Sequence, residues 1–183
     1  MAKGTVYAHF LNVEFPHFLA IYGHNEKGLV WFEGTSPEWC KPYPGAENEH
    51  VYYNHNIFLV TEGSVQVENK HLPTSPHVFT QGEGLSVARM NSRYKLTTLE
   101  DNTCWICLTP KEEIIYNRAL INLEAGQTLK VEPSSDTTHY LIASGKVKMN
   151  GKVKPQIHMS EVKAGVPLLI EALEDSYVIK IWK

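Results

Sequence analysis

Phe58-Leu59-Val60-Thr61-Glu62-Gly63-Ser64-Val65-Gln66-Val67 returns later in the chain as Tyr140-Leu141-Ile142-Ala143-Ser144-Gly145-Lys146-Val147-Lys148-Met149. In each stretch a β-branched and aromatic run reaches a glycine and a second such run leaves it, the composition of two successive strands. Leu99-Glu100-Asp101 likewise returns as Leu173-Glu174-Asp175, each followed by strand-forming residues. The chain is therefore read as two copies of one β-rich unit.

Working outward, 57–61, 64–68, 103–109, 139–143, 146–149 and 177–182 read as strands. Gly63 and Gly145 stand where the backbone needs the positive φ of a tight hairpin. Asn150-Gly151 is a type I′ turn signal, so 139–154 reads as three short antiparallel strands in succession. Helical signals are poor. Over 111–120 the acidic pair Glu112-Glu113 suits a first helical turn, and a short helix or an extended linker between the copies is expected there. The first thirty residues show no counterpart in the second half, although 6–10, 18–22 and 29–32 have strand composition. Prolines 37, 42 and 44 make 35–47 a loop carrying Trp39 and Tyr43. The first copy is longer between Gly63 and Leu99 than the second between Gly145 and Leu173, with the excess in 89–95.

With 43% hydrophobic residues, the 183-residue chain has enough apolar material for a core. Net charge is -3 without a long basic run, which excludes a nucleic-acid footprint. No apolar stretch is long enough to cross a bilayer, so no membrane partner is expected. The N-terminus lacks the apolar core of a signal peptide. Three cysteines (Cys40, Cys104 and Cys107) form no disulfide framework and suit a reducing compartment. The expected location is the cytoplasm, or a particle assembled in it.

On these residues the chain resembles the cupin superfamily. Gly126 opens the second unit, Tyr140–Gly145 is its strand and turn, Lys163-Ala164-Gly165-Val166-Pro167-Leu168 resembles the Pro-x-Gly-x-x-His box, and Ala172-Leu173-Glu174-Asp175 follows. Gly82-Glu83-Gly84-Leu85-Ser86-Val87 takes the box position in the first copy. The resemblance covers about 45–183. It implies an all-β bicupin of two jelly-roll-like (double-stranded β-helix) barrels in tandem. Residues 1–110 would form a first barrel with extra N-terminal strands, and 111–183 a second, packed as one unit.

Enzymatic cupins bind a metal through three His and a Glu. Carried over residue by residue, those positions are His50, Tyr52, Asn56 and Val87 in the first copy, and Glu132, Ser134, Thr138 and Leu168 in the second. Only His50 and Glu132 are suitable ligands, and hydrocarbon cannot coordinate. The resemblance thus implies barrels without metal centres and without a cofactor.

Other candidates carry less chemistry. His50 and His55, five apart, would face opposite sides of a strand. Cys104-Trp105-Ile106-Cys107 is a Cys-x-x-Cys without the second pair that a zinc ribbon needs, and its thiols fall on opposite strand faces. His71 and His77 flank Pro73 and Pro76 in a solvated loop, and the two Glu-Asp pairs are turn residues with a shared structural task. The expected function is that of a non-enzymatic structural or interaction protein, self-associating as a homo-oligomer or part of a larger assembly such as a capsid-decorating or tail component. One alternative is a metal-independent binder or epimerase of sugars or nucleotide sugars, using His50, Tyr52, Asn56, Trp39 and Tyr43. Another is a metal-dependent oxygenase or isomerase with an atypical site around His50.

Overall fold

Residues 5–6, 10–28, 30–35, 56–68, 74–87, 93–111 and 116–183 are described by the computed structural model. The described residues contain no helix, and hence none long and apolar enough to cross a membrane. The chain divides into two compact units, Met1–Ile114 and Ile115–Lys183.

The strands of the first unit are β1 (Thr5–Val6), β2 (Phe10–Glu14), β3 (Phe18–Asn25), β4 (Val30–Thr35), β5 (Asn56–Glu62), β6 (Ser64–Glu68), β7 (His77–Thr80), β8 (Gly84–Val87), β9 (Arg93–Thr98) and β10 (Thr103–Pro110). They form two antiparallel sheets, ordered β1-β4-β9-β6-β7 and β2-β3-β10-β5-β8. The second unit has β11 (Asn117–Leu123), β12 (Thr128–Val131), β13 (Thr138–Ser144), β14 (Val147–Met149), β15 (Lys152–Lys154), β16 (His158–Val162), β17 (Leu168–Ala172) and β18 (Ser176–Trp182). Its sheets run β11-β18-β13-β16 and β12-β17-β14-β15. Replace β11 to β18 by β3 to β10 and these orders become those of the first unit, so the duplication extends over eight strands. The arrangement is the jelly roll, which closes two sheets around one core.

Three expectations change. The first unit's repeat begins at β3, not beyond residue 30, and among the described strands only β1 and β2 lack a counterpart. The overlooked signal is Glu26-Lys27-Gly28 against Glu124-Ala125-Gly126. Gly28 and Gly126 have φ of 81° and 86°, and their amides donate to Thr98 O and Ala172 O, each at 2.8 Å. Second, the segment 111–120 does not end in a helix. From Asn117 onward it is β11, whose alternation places Ala119, Ile121 and Leu123 toward the core. Glu112 and Glu113 lie outside the described residues. Third, Gly63 and Gly145 do have positive φ, 74° and 80°, but they do not close hairpins. At each, the chain leaves one sheet and enters the other: β5 and β13 pair within one sheet, β6 and β14 within its partner. Of the three strands expected over 139–154, only β14 and β15 form a hairpin, around Asn150-Gly151. A corner and a hairpin both demand a left-handed residue, so the glycine alone does not distinguish them.

The Leu-Glu-Asp repeat fastens these corners. Leu99 N donates to Ser64 O at 3.0 Å, and Leu173 N to Lys146 O at 2.8 Å. Asp101 Oδ1 accepts from Lys27 N at 3.0 Å, and Asp175 Oδ1 from Ala125 N at 2.9 Å. Each carboxylate thus holds the preceding turn, the structural task expected of it. Asp175→Ala should lower stability by about 1 kcal/mol and Asp175→Asn by less, since an amide oxygen still accepts. Denaturant unfolding of the two variants measures the difference.

The second unit's core comprises Leu123, Tyr140, Ile142, Val147, Met149, Leu168, Ile170, Ala172 and Val178. Strand alternation directs one face of each sheet into this cluster. In the first unit, Phe58, Val60, Phe79 and Trp105 are buried, with Phe58 6.4 Å from both the Phe79 and Trp105 rings.

Candidate functional site

In the second unit the four carried-over positions are all described. Leu168 opens β17 opposite Val131, is 4% exposed, and belongs to the apolar core cluster. Thr138 opens β13 and is buried, its hydroxyl 3.5 Å from Asp136 O. Ser134 is occupied by a turn: its hydroxyl accepts from Asp136 N at 3.2 Å and its carbonyl from Gly165 N at 2.9 Å. Glu132 is exposed. Of the carried-over set, only the threonine and the leucine are therefore buried.

In the first unit, Trp39, Tyr43, His50 and Tyr52 lie outside the described residues, as do Cys40, His55 and His71. Asn56 opens β5 opposite Val87. That pairing corrects one assignment. Thr138 pairs with Val162 in the same way, so Val87 corresponds to Val162 and not to Leu168. The counterpart of β17 is β9. Five residues before each Leu-Glu-Asp stand Leu168 and Tyr94, and Tyr94 faces Gly34 as Leu168 faces Val131. The fourth position of the first unit is thus Tyr94. Residues 36–55, which separate β4 from β5, lie outside the described residues; β12 and β13 are separated by 132–137.

The cysteines behave as strand residues. Cys107 is buried, whereas Cys104 is partly exposed on the opposite face, 3.9 Å from Glu62 Oε2. Burial, aided by the Glu62 charge, raises the Cys104 thiol above its ordinary pKa, which makes it a poor nucleophile at neutral pH. His77 departs from its expected loop. It opens β7, its ring 4.4 Å from that of Phe79 and its Nδ1 2.9 Å from the Thr74 hydroxyl. Among the described residues no three His, Cys, Asp or Glu stand together as a metal-binding group.

One interior layer of the second unit is polar. Strand register aligns Ala119, Lys180, Tyr140 and Ser160 across β11, β18, β13 and β16. Paired residues share a sheet face, and Tyr140 belongs to the core cluster, so this row faces inward. Thr138 and Trp182 form the next row, with Lys180 Nζ 5.2 Å from the centre of the Trp182 ring. Tyr140 is 1% exposed, and burial raises its phenol above the ordinary value. The Ser160 hydroxyl is buried without a hydrogen-bond partner among the described residues. One row further along, burial and Lys154 lower the pKa of His158, which keeps its imidazole neutral at pH 7.

No family description and no curated protein sequence matches the chain. Solved structures do. A cupin 2 conserved barrel domain protein from Leptotrichia buccalis aligns at 12% identity over 100% of this chain and 91% of its own, with a TM-score of 0.50. The bacterial pirin YhhW from Escherichia coli, in complex with nickel(II), aligns at 11% over 98% and 90%, with a TM-score of 0.61. An oxalate decarboxylase variant from Bacillus subtilis aligns at 11% over 100% and 74%, with a TM-score of 0.62. The chain has the cupin fold. At this identity the likeness concerns the path of the backbone, and the cupin-fold chemistry is read from this chain's own residues.

Proposed function

We propose that this cupin-fold chain is a non-enzymatic interaction protein, working through contacts with further copies of itself or with a partner protein. One observation carries the reading. Leu168 is buried among hydrocarbon side chains where the cupin resemblance asks for the last metal-binding histidine. A buried leucine supplies packing at that position and no lone pair. The nickel(II) of the pirin neighbour is a property of that protein, and the second unit offers it no equivalent donor set.

The contact half of the reading is supported by the edges of the second unit. In the first unit β3 and β4 are flanked by β2 and β1. Among the described residues their counterparts β11 and β12 pair only with β18 and β17. An uncovered edge offers N–H and C=O groups that another chain's strand can extend. Leu120, 40% exposed, lies on β11.

Light scattering on the purified chain is expected to report an assembly of at least two copies, or a stable complex with a captured partner. Leu120→Lys should weaken that association. Metal analysis should give well under one equivalent per chain, unchanged by His50→Ala. A strict monomer that captures nothing overturns the contact reading. A full equivalent of metal lost on His50→Ala overturns the non-enzymatic one.

A further inference from the structure

We propose that the interior of the second unit is a binding site for a small carboxylate-bearing molecule, held by Lys180, Tyr140 and Ser160 beside the ring of Trp182. The inference goes beyond the contact reading and does not depend on it.

The duplication supplies the internal control. Tyr140 stands five residues before the corner glycine Gly145, and Phe58 stands five before Gly63. Tyr140 pairs with Lys180 and Ser160. Phe58 pairs with Cys107 and Leu85. Ala119 beyond Lys180 corresponds to Ile21 beyond Cys107. In register, this row therefore reads Ile-Cys-Phe-Leu in one copy and Ala-Lys-Tyr-Ser in the other. The same backbone closes with the apolar set, so the fold does not require the polar one.

The polar set also costs stability if left empty. The buried Tyr140 and the buried Ser160 hydroxyl forgo hydration that an apolar row would not need. Salt bridges among the described residues join Lys95–Glu68, Lys111–Glu14, Lys146–Glu174 and Lys148–Glu171, but none involves Lys180. Its contact is instead with the Trp182 ring, and the Ser160 hydroxyl has no partner among the described residues. A carboxylate completes both: one oxygen accepts from the ammonium, the other from the Ser160 and Tyr140 hydroxyls. A single cation matches a single negative charge, whereas a phosphate dianion would be left half neutralised. Trp182 adds a flat apolar wall for the body of the ligand. Lys180 and Trp182 are both partly exposed, which leaves the layer open toward solvent on their side.

Benzoate is the probe, titrated calorimetrically into the full chain, with benzyl alcohol and inorganic phosphate as comparisons. Saturable binding of one benzoate per chain is expected. Lys180→Met should weaken it at least about tenfold, the loss of a charged hydrogen bond, while Lys180→Arg retains most of it. Tyr140→Phe restores the residue type of the first unit, so it should fold normally and weaken binding by a smaller factor. No saturable benzoate binding overturns the proposal, as does Lys180→Met binding like the wild type with its thermal unfolding intact. Benzyl alcohol binding as tightly as benzoate removes the role of charge. Phosphate binding more tightly than benzoate removes the carboxylate assignment.

Discussion

Gly145→Ala is expected to destabilise the second unit by at least about 3 kcal/mol, while Gly151→Ala, six residues on, costs only about 1 kcal/mol. The two glycines share one backbone conformation, with φ of 80° and 79°. A Cβ in that region costs about 1–2 kcal/mol wherever it occurs. Their surroundings differ. A Cβ at Gly151 meets nothing within 4 Å. At Gly145 it would overlap the carbonyl oxygen of Asp175 and the Ser176 hydroxyl, and stand 2.8 Å from Ser176 Cα. Backbone cannot rotate away as a side-chain tip does, so the corner itself must shift. That shift strains two bonds that close it: Lys146 N to Ser176 Oγ at 3.1 Å, and Leu173 N to Lys146 O at 2.8 Å. Gly63→Ala should fall between the two, because its closest neighbour is the Thr103 hydroxyl at 2.5 Å, with Thr103 Cα at 3.0 Å. Denaturant unfolding of the three variants ranks them. Equal costs at 145 and 151 would mean that φ alone sets the penalty and that the corner is not closely packed.

Gly145 also explains why so much of the fold was legible in the sequence. A residue that is irreplaceable for steric reasons survives divergence, and both copies keep theirs, together with the Asp whose carboxylate ties the adjacent turn. Strand faces are less constrained, since an alternating pattern tolerates many side chains. The first unit's β3 and β4 therefore went unmatched. Only the Glu-x-Gly before β4 and β12 is shared there, and three residues are too few to stand out. The Gly-rich segment before Val87 suggests the wrong strand for a related reason: the first copy is longer after Gly84, and counting forward from a glycine misplaces what counting back from Leu99 places at Tyr94. The polar layer shows both outcomes. Tyr140 against Phe58 is visible in the aligned stretches themselves. Lys180 against Cys107 is not, because the turn from Asp101 into β10 holds one residue more, Asn102, than the turn from Asp175 into β18, and this displaces the layer by one position in the count. For Trp39, Tyr43, His50 and Tyr52, residue type and order remain the whole basis of their assignment.

In the first unit the largest effect is expected at Trp105, where alanine should cost about 3–5 kcal/mol. The indole is 2% exposed and lies over Gly23, where an added Cβ would run into the ring. Gly23 and Trp105 are directly paired across β3 and β10, so the absence of a side chain on one strand makes room for the largest side chain on the other. The ring is also fixed by a buried hydrogen bond, its Nε1 donating to Asn25 Oδ1 at 2.6 Å. Truncation opens a cavity and leaves the Asn25 amide oxygen buried without that donor, and the two losses add in the same direction. They can be separated. Trp105→Phe keeps most of the packing and removes the donor, so it should cost about 1–3 kcal/mol. Asn25→Ala removes the acceptor of this bond instead. Combined with Trp105→Phe, it should cost less than the sum of the single changes, because the second change removes a partner already lost. Additive costs in that cycle would mean that the bond contributes nothing. A loss below about 1 kcal/mol for Trp105→Ala would place the indole outside the core, since the removal of a buried aromatic ring has no inexpensive route in a close-packed interior.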